Sequence, residues 1–145
     1  MMILFLDDNE NRHKSFQRNA IGFSTTRVHT AQEAIEAMRE LDHIDLIMLD
    51  HDLNCETNNQ LNDEEEDGRW VCKKMAEEQL HVETTVIIHS MNPIGAQNME
   101  SILRDAGYKD VHQICSAWTM LSKKKDGTIK IDTTLGVSKD IRDYQ

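Results

Sequence analysis

Short apolar runs alternate along the chain with stretches in which apolar residues recur at helical spacing. Residues 2–6, 44–49 and 85–88 are largely apolar at consecutive positions, and each run ends in polar residues. Runs of this length that are apolar on both faces are typical of parallel strands covered by helices. Residues 25–29 and 110–115 have weaker strand patterns and are predicted at the edges of the sheet.

Helices are predicted between these strands from capping residues and from apolar spacing. Thr30, followed three residues later by Glu33, forms a capping box, and Asn92 followed by Pro93 is typical of a helix start. Gly107 stands where the helix that begins at Pro93 should end. The apolar residues that face the sheet are Ala34, Ile35, Met38 and Leu41 in the second helix, Trp70, Val71, Met75 and Leu80 in the third, and Ile102, Leu103 and Ala106 in the fourth.

This alternation of strands and helices predicts the α/β class, with a three-layer, doubly wound parallel sheet and right-handed crossovers. A first helix is predicted over residues 13–20. The chain of 145 residues is expected to form one domain, 1–145, whose core spans residues 2–116.

Two segments add to the repeating strand–helix unit. Residues 54–68 form a polar, strongly acidic loop after the third strand, and residues 117–145 form a C-terminal extension. In the extension, Asp126-Gly127 between two strand-like stretches predicts a hairpin. A closing helix is predicted from the spacing of Val137, Ile141 and Tyr144.

The composition narrows the classes of partner. Sixteen Lys and Arg residues against twenty-six Asp and Glu residues give a formal net charge of −10. Such a chain is a poor candidate for binding a nucleic-acid polymer or an anionic membrane, because that binding depends on neutralising phosphates. No apolar run approaches the ~18 residues of a spanning helix, and Cys55, Cys72 and Cys115 fit neither a disulfide framework nor a CxxC metal site. We therefore expect a soluble cytoplasmic protein.

Acidic residues follow two of the central strands. In an open parallel sheet, ligands bind outside the carboxyl ends of the strands, so Asp7, Asp8 and Asp50 are expected to converge there. Their carboxylates predict a site for a divalent cation, Mg²⁺ first, because that ion prefers oxygen ligands. Capping of the turns that follow the strands is the alternative interpretation.

Two histidines also follow adjacent strands. His51 and His89 offer an acid and a base near neutral pH, the pair that phosphodiester cleavage needs, and Asp52 is placed to orient one imidazole. The alternatives are two ordinary polar residues at strand ends, or a transition-metal site formed with Asp52 and a neighbouring acid.

The start of the fourth helix adds a candidate phosphate site. Its backbone N–H groups and positive dipole end point toward the same strand ends, which predicts an anion site at Ser90, Asn92 and Gly95. A well-capped helix without a ligand is the alternative. Trp70 and Trp118 are candidates for the border of this pocket.

These residues and their order resemble the response-regulator receiver domain over residues 2–116. The matching features are the acidic pair Asp7-Asp8 after the first strand, Asp50 at the end of the third, and Ser90 at the end of the fourth. The resemblance implies a receiver or flavodoxin-like fold with strand order 2-1-3-4-5.

The departures from that pattern point to a different family. Receivers carry a lysine at the end of strand five, where residues 114–117 read ICSA, and they lack the HD dipeptide at residues 51–52 and the histidine at 89. The chain is instead similar to the cyclic-phosphate processing receiver domains of bacteria and their phages. That resemblance implies functional roles for Asp7, Asp8, Asp50, His51, Asp52, His89, Ser90, Asn92 and Gly95.

The leading hypothesis is therefore a small phosphoesterase that hydrolyses a cyclic nucleotide or another cyclic phosphate. His51 and His89 would exchange proton-donor and proton-acceptor roles, while the acids hold a divalent cation or a water. A second hypothesis is a non-catalytic module that sequesters a nucleotide-derived signal in the same pocket. A third is a degenerate receiver that accepts a phosphoryl group on Asp50, against which the missing lysine argues.

Overall fold

Five parallel strands form one sheet in the order β2-β1-β3-β4-β5. The structure, a computed structural model, describes residues 1–53, 66–119, 121–123, 125–126, 129–132 and 138–140. The strands are β1 (Met2–Leu6), β2 (Ser24–Val28), β3 (Leu46–Leu49), β4 (Thr85–Ile88) and β5 (Val111–Gln113). The helices that connect them are α1 (Glu10–Asn19), α2 (Ala31–Glu40), α3 (Gly68–Glu78) and α4 (Pro93–Asp105).

The predicted fold class and strand order are confirmed. Strands β2 and β5 are the two edges, as their weaker apolar patterns indicate. Strands β1 and β4 have the predicted bounds, whereas β3 and β5 are shorter than the apolar runs at 44–49 and 110–115.

The two faces of the sheet carry separate apolar clusters, because alternate residues of a strand point to opposite faces. Phe5, Met48 and Ile87 lie on one face. We call it the α1 face, since Phe16 of α1 and Trp118 pack against it. The opposite face, which we call the α4 face, packs against α2, α3 and α4.

The helix starts follow the capping signals. The Thr30 side chain accepts from the Glu33 N–H and Glu33 reaches back to the cap, so the predicted capping box is confirmed. Asn92 caps α4 and Pro93 is its first residue. Helix α1 begins at Glu10 and is capped by Asn9, so the predicted start at residue 13 was wrong. The first turn is polar and lacks the apolar periodicity from which a helix is predicted.

The segment that follows β5 forms a small second sheet. A 3₁₀ helix, η1 (Ala117–Thr119), precedes the antiparallel strands β6 (Leu121–Lys123) and β7 (Ile129–Asp132), so the hairpin is confirmed. A third strand, β8 (Ser138–Asp140), pairs with β7. The predicted closing helix is therefore wrong at 138–140, because these residues pair with β7 as a strand although the apolar spacing is helical. Residues 137 and 141–145, and positions 54–65 of the predicted acidic loop, lie outside the described residues.

The longest of the described helices, α4, has 13 residues. At 1.5 Å per residue it spans about 20 Å, which is less than the ~30 Å hydrocarbon core of a bilayer. In the part of the chain that the structure describes, no helix has the length and apolar character needed to cross a membrane.

Candidate functional site

Three polar side chains extend the α1 face beyond the ends of the central strands. Asp7, Asp50 and His89 are the first residues after β1, β3 and β4. The alternation of the strands keeps all three on the α1 face, and all three are buried. The structure therefore brings together these three of the residues singled out in the sequence.

Asp7, Asp8 and Asp50 form a compact group that we call the acid triad. One carboxylate oxygen from each residue lies within 4.8 Å of the others, which is close enough for the three to ligate a single cation. Burial, followed by the charge of Asp7, raises the pKa of Asp50 to about 7, while Arg12 opposes that shift. The triad thus concentrates negative charge where little water can solvate it.

Arg12 of α1 reaches all three carboxylates, and the sequence analysis missed it. Its Nε lies 2.7 Å from Asp7 Oδ2, and its Nη2 lies 3.3 Å from Asp50 Oδ2 and 3.6 Å from Asp8 Oδ1. The i,i+4 spacing between Asp8 and Arg12 is a signal in the sequence. This spacing did not point to Arg12, because the predicted helix began only at residue 13.

His89 is a fully buried imidazole with one unpartnered nitrogen. Its Nε2 lies 3.2 Å from the Leu6 carbonyl oxygen. Because a carbonyl only accepts, Nε2 carries the hydrogen and Nδ1 carries the lone pair. Nδ1 has no hydrogen-bond partner and lies 3.8 Å from Asp7 Oδ2. Burial lowers the pKa of His89 to about 4, although Asp7 acts in the opposite direction, so the ring is neutral at pH 7.

A small cleft opens between these groups at the carboxyl ends of the strands. Its volume is about 70 Å³, against the ~30 Å³ that one water occupies in the liquid. Trp118 forms one wall, with its ring edge-on to His89 at 5.2 Å and 5.7 Å from the Arg12 guanidinium. The lining residues are Arg12, Asp50, Asp52, His89, Met91 and Trp118. Trp118 therefore borders the pocket as predicted, whereas Trp70 packs against the α4-face cluster.

His51 lies on the other side of the sheet from His89. It is the second residue after β3 and packs against Gly95 of α4, where an added Cβ would lie 2.5 Å from the ring. Its Nδ1 donates to Asp52 Oδ1 at 2.8 Å, and its Nε2 is 3.7 Å from Asp67 Oδ2. Because consecutive positions face opposite sides, the structure does not bring the two imidazoles face to face.

The start of α4 already satisfies most of its own N–H groups. Asn92 Oδ1 accepts from the Gly95 N–H at 3.0 Å, and Ser90 Oγ accepts from the Asn92 N–H at 3.0 Å. Pro93 has no N–H to offer. Within this described turn, the predicted phosphate site is therefore left with the N–H of Ile94.

Gly68 supports the backbone of His51 and Asp67 lies near its ring, and neither residue was singled out in the sequence. The Gly68 N–H donates to the His51 carbonyl at 2.8 Å. A Cβ at Gly68 would overlap the Asp50 carbonyl and lie 2.7 Å from His51 Cα. Asp67 caps α3 by accepting from Trp70 N–H. Both residues lie at the end of the segment 54–68, which the sequence pattern predicts to be a loop.

Solved structures that are similar in fold to this chain include several receiver domains. The CheY-like receiver domain of Methanospirillum hungatei JF-1 is 16% identical with a TM-score of 0.57, over 77% of this chain and 78% of that one. A structure named adenylate cyclase from Rhodopirellula baltica is 17% identical with a TM-score of 0.56, over 79% and 74%. The receiver domain of the Francisella response regulator 1452 is 20% identical with a TM-score of 0.54, over 77% and 82%. At these identities the likeness supports the fold alone.

The sequence itself gives a finer assignment. A comparison with curated proteins found no match. The family model of the cyclic-phosphate processing receiver domain, however, matches residues 2–105, which include α1, the acid triad, His51, His89 and α4. The match covers most of the chain, and the chain therefore belongs to the cyclic-phosphate processing receiver domain family.

Proposed function

We propose that this domain binds a cyclic nucleotide or a related cyclic phosphate in the cleft of the α1 face and hydrolyses its phosphodiester ring. One observation carries the proposal. His89 is a buried imidazole with an unpartnered Nδ1, and the residue lines a cleft that also contains a guanidinium. A buried polar atom without a partner is costly, so its presence supports a ligand or a reacting water at this place. The family to which the chain belongs supports the cyclic phosphate.

His89 serves as the proton acceptor in this proposal. The Leu6 carbonyl fixes the hydrogen on Nε2, and the lowered pKa keeps the ring neutral at pH 7. Nδ1 can then accept a hydrogen bond from a water that attacks phosphorus. The same tautomer has no proton to give at Nδ1, so His89 is not the initial donor.

Asp50 serves as the proton donor. It lines the same cleft, and its pKa of about 7 leaves a large fraction of the carboxyl protonated near neutral pH. As water attacks, its proton passes to His89 Nδ1 and the ring P–O bond breaks. The departing oxygen takes the Asp50 proton, which gives a phosphate monoester. Exchange with solvent then restores both groups.

The cleft fits the phosphate group better than a whole nucleotide. Its volume of about 70 Å³ is small, and Arg12 brings a positive charge to it. The nucleoside would lie outside, against Trp118 and Met91, whose side chain is exposed. We favour this site over the start of α4, where Asn92 already occupies the Gly95 N–H.

His51 acts through Asp52 in this scheme, as a positioning residue. Asp52 lines the cleft and accepts from His51 Nδ1. The earlier expectation of a direct proton exchange between His51 and His89 is not retained, since the rings contact different residues on opposite faces. No step of this scheme runs through a divalent cation.

Turnover of cyclic nucleotides tests the proposal. The protein is incubated with 2′,3′- and 3′,5′-cyclic nucleotides, and products are identified by mass spectrometry after denaturation. His89→Phe retains an aromatic ring beside Phe5 and Trp118 but removes both nitrogens. It should abolish ring opening while ligand affinity stays within about tenfold, or ~1.4 kcal/mol. The control His43→Phe alters an exposed histidine and should leave turnover unchanged.

The pH profile adds an independent check. His89 must be neutral and Asp50 protonated, so turnover should be highest between their pKa values of about 4 and about 7. Normal turnover by His89→Phe would contradict the mechanism. Recovery of intact ligand from the wild-type protein would favour the sequestering module instead.

The phosphoacceptor hypothesis is tested on the same preparation. Asp50 has both oxygens engaged, one by Arg12 Nη2 at 3.3 Å and one by the His51 N–H at 2.9 Å. We expect no phosphorylation of Asp50 by acetyl phosphate. Labelling that is lost in Asp50→Asn would revive the receiver hypothesis.

A further inference from the structure

The acid triad is the place where the sequence predicts a divalent cation, yet its inner oxygens already have protein donors. Asp7 Oδ2 accepts from Arg12 Nε at 2.7 Å, and Asp7 Oδ1 accepts from the Asn9 N–H at 2.8 Å. Asp50 Oδ2 faces Arg12 Nη2 at 3.3 Å, and Asp50 Oδ1 accepts from the His51 N–H at 2.9 Å. Both buried carboxylates of the triad are therefore satisfied by the chain itself.

A guanidinium and a magnesium ion make competing demands on these oxygens. Mg²⁺ requires oxygens at about 2.0–2.1 Å in octahedral geometry, whereas Arg12 holds two of them by N–H donors fixed in a planar fork. An ion at the centre of the triad would have to displace Arg12, because the two cations repel each other at such short range. The spacing of the carboxylates suits a cation, but the Arg12 guanidinium already lies among them.

Arg12 is positioned by contacts at its backbone and at the tip of its side chain. At its backbone, the Arg12 N–H donates to Asn9 Oδ1 at 3.0 Å, so the capping turn of α1 sets where the side chain starts. At its tip, the guanidinium lies 5.7 Å from the Trp118 ring centre, within the range of a cation–π contact. Contacts with α1, the acid triad and η1 therefore together fix the position of Arg12 beside the acids.

We infer that Arg12 is the resident cation of the acid triad, in the place predicted for a divalent metal ion. The domain consequently folds without Mg²⁺ or a transition metal at the acid triad. This inference concerns only Arg12 and the three carboxylates, and it stands whether or not the proposed hydrolysis is correct.

Cation binding by Arg12→Gln tests the inference directly. Removing the guanidinium leaves three neighbouring carboxylates without their cation, so the variant should bind Mg²⁺ and Mn²⁺ at least tenfold more tightly than the wild-type protein in calorimetric titrations. A tenfold change corresponds to about 1.4 kcal/mol. The double variant Arg12→Gln/Asp50→Asn should lose the gained affinity, because it removes one ligand of the new site.

Matched variants separate the effect of position from that of charge. Arg18→Gln removes an arginine from the last turn of the same helix and should leave cation affinity at the wild-type value. Arg12→Lys keeps a positive charge near the triad and should bind divalent cations less tightly than Arg12→Gln.

Thermal unfolding provides a readout that does not depend on activity. Excess Mg²⁺ should raise the Tm of Arg12→Gln and leave that of the wild-type protein nearly unchanged. If Arg12→Gln is unfolded without metal, Mg²⁺ should restore its fold, and failure to do so would contradict the inference. Wild-type binding of Mg²⁺ as tight as that of Arg12→Gln would overturn it.

Discussion

His89 and His51 follow adjacent strands, but the two faces of the sheet treat them differently. On the α1 face, His89 has 0% side-chain exposure and a nitrogen without a partner. On the α4 face, the His51 side chain is 16% exposed and each ring nitrogen lies near a carboxylate. The difference arises from a single step along the chain, since successive residues of an extended strand point to opposite faces.

This contrast separates the part of the site that can act on a ligand from the part that supports it. The α1 face combines a buried carboxyl, a guanidinium and an unsatisfied nitrogen around a cleft. On the α4 face, His51 packs against Gly95 and donates to Asp52, and Gly68 supports its backbone. Substitutions on the two faces should therefore have different effects, and three of them test the contrast.

The largest expected effect follows substitution of Gly68. In Gly68→Ala the new Cβ would meet the Asp50 carbonyl, the His51 Cα and Met99, and backbone atoms have little freedom to move. We expect a loss of about 3 kcal/mol in the free energy of unfolding, as for severe overpacking. Urea denaturation measures it, with exposed Arg69→Ala in the same helical turn as the control. A loss no greater than that of the control would show that the β3–α3 turn adapts to the added methyl.

The second prediction concerns the pH dependence of stability on the α1 face. Between about pH 4 and 7, folded Asp50 keeps a proton that the unfolded chain has released, so its contribution to stability falls as pH rises. His89 acts in the opposite sense: between about pH 4 and its unfolded value of 6.5, the unfolded chain binds a proton that the folded ring excludes. Its contribution therefore rises with pH, and the two slopes partly cancel in the wild-type protein.

Asp50→Asn removes one of these opposing slopes. Relative to the wild-type protein, the variant should gain on the order of 2 kcal/mol between pH 5 and pH 8, since each pKa unit corresponds to about 1.36 kcal/mol. Chemical denaturation at several pH values measures the gain. Asp105→Asn, exposed at the end of α4, is the control. Parallel curves for Asp50→Asn and the wild-type protein would mean that Asp50 titrates normally.

The smallest effect is expected at Gly95. An alanine Cβ would lie 2.5–2.7 Å from His51 ring atoms, so the imidazole must turn and lose its 2.8 Å contact with Asp52. We expect a cost of about 1 kcal/mol in unfolding free energy and shifted imidazole NMR signals for His51, with those of His89 unchanged. Exposed Asn98→Ala on the same helix is the control. An unmoved His51 signal would contradict the close packing, and a shifted His89 signal would show that the faces are coupled.

Most of the framework was predictable because it depends on local patterns. Apolar runs located the central strands. The capping signals at Thr30 and Asn92 predicted the exact first residues of two helices. The errors occur where the local signal conflicts with distant pairing or is missing. The start of α1 is polar, and Ser138–Asp140 pairs with β7 instead of forming a helix.

The candidate site was predictable as a set of residues but not as an arrangement. Strand ends in a parallel sheet must meet at one edge, so the sequence indicates that Asp7, Asp50 and His89 lie near one another. The sequence does not indicate which side chain fills the space between them. The entry of Arg12 among the acids depends on the packing of α1 against the sheet and on the contact with Trp118, which is far away in sequence.

The separation of His51 from His89 required the tertiary structure for a related reason. Both histidines stand beyond the last residue of their strands, and the predicted end of β3 at residue 49 is the observed one. Past the end of a strand the pairing no longer fixes the direction of a side chain, so the sequence does not assign the face of His51. Only the packing of β3 between its neighbours, with His51 against Gly95 of a helix more than forty residues later, decides it.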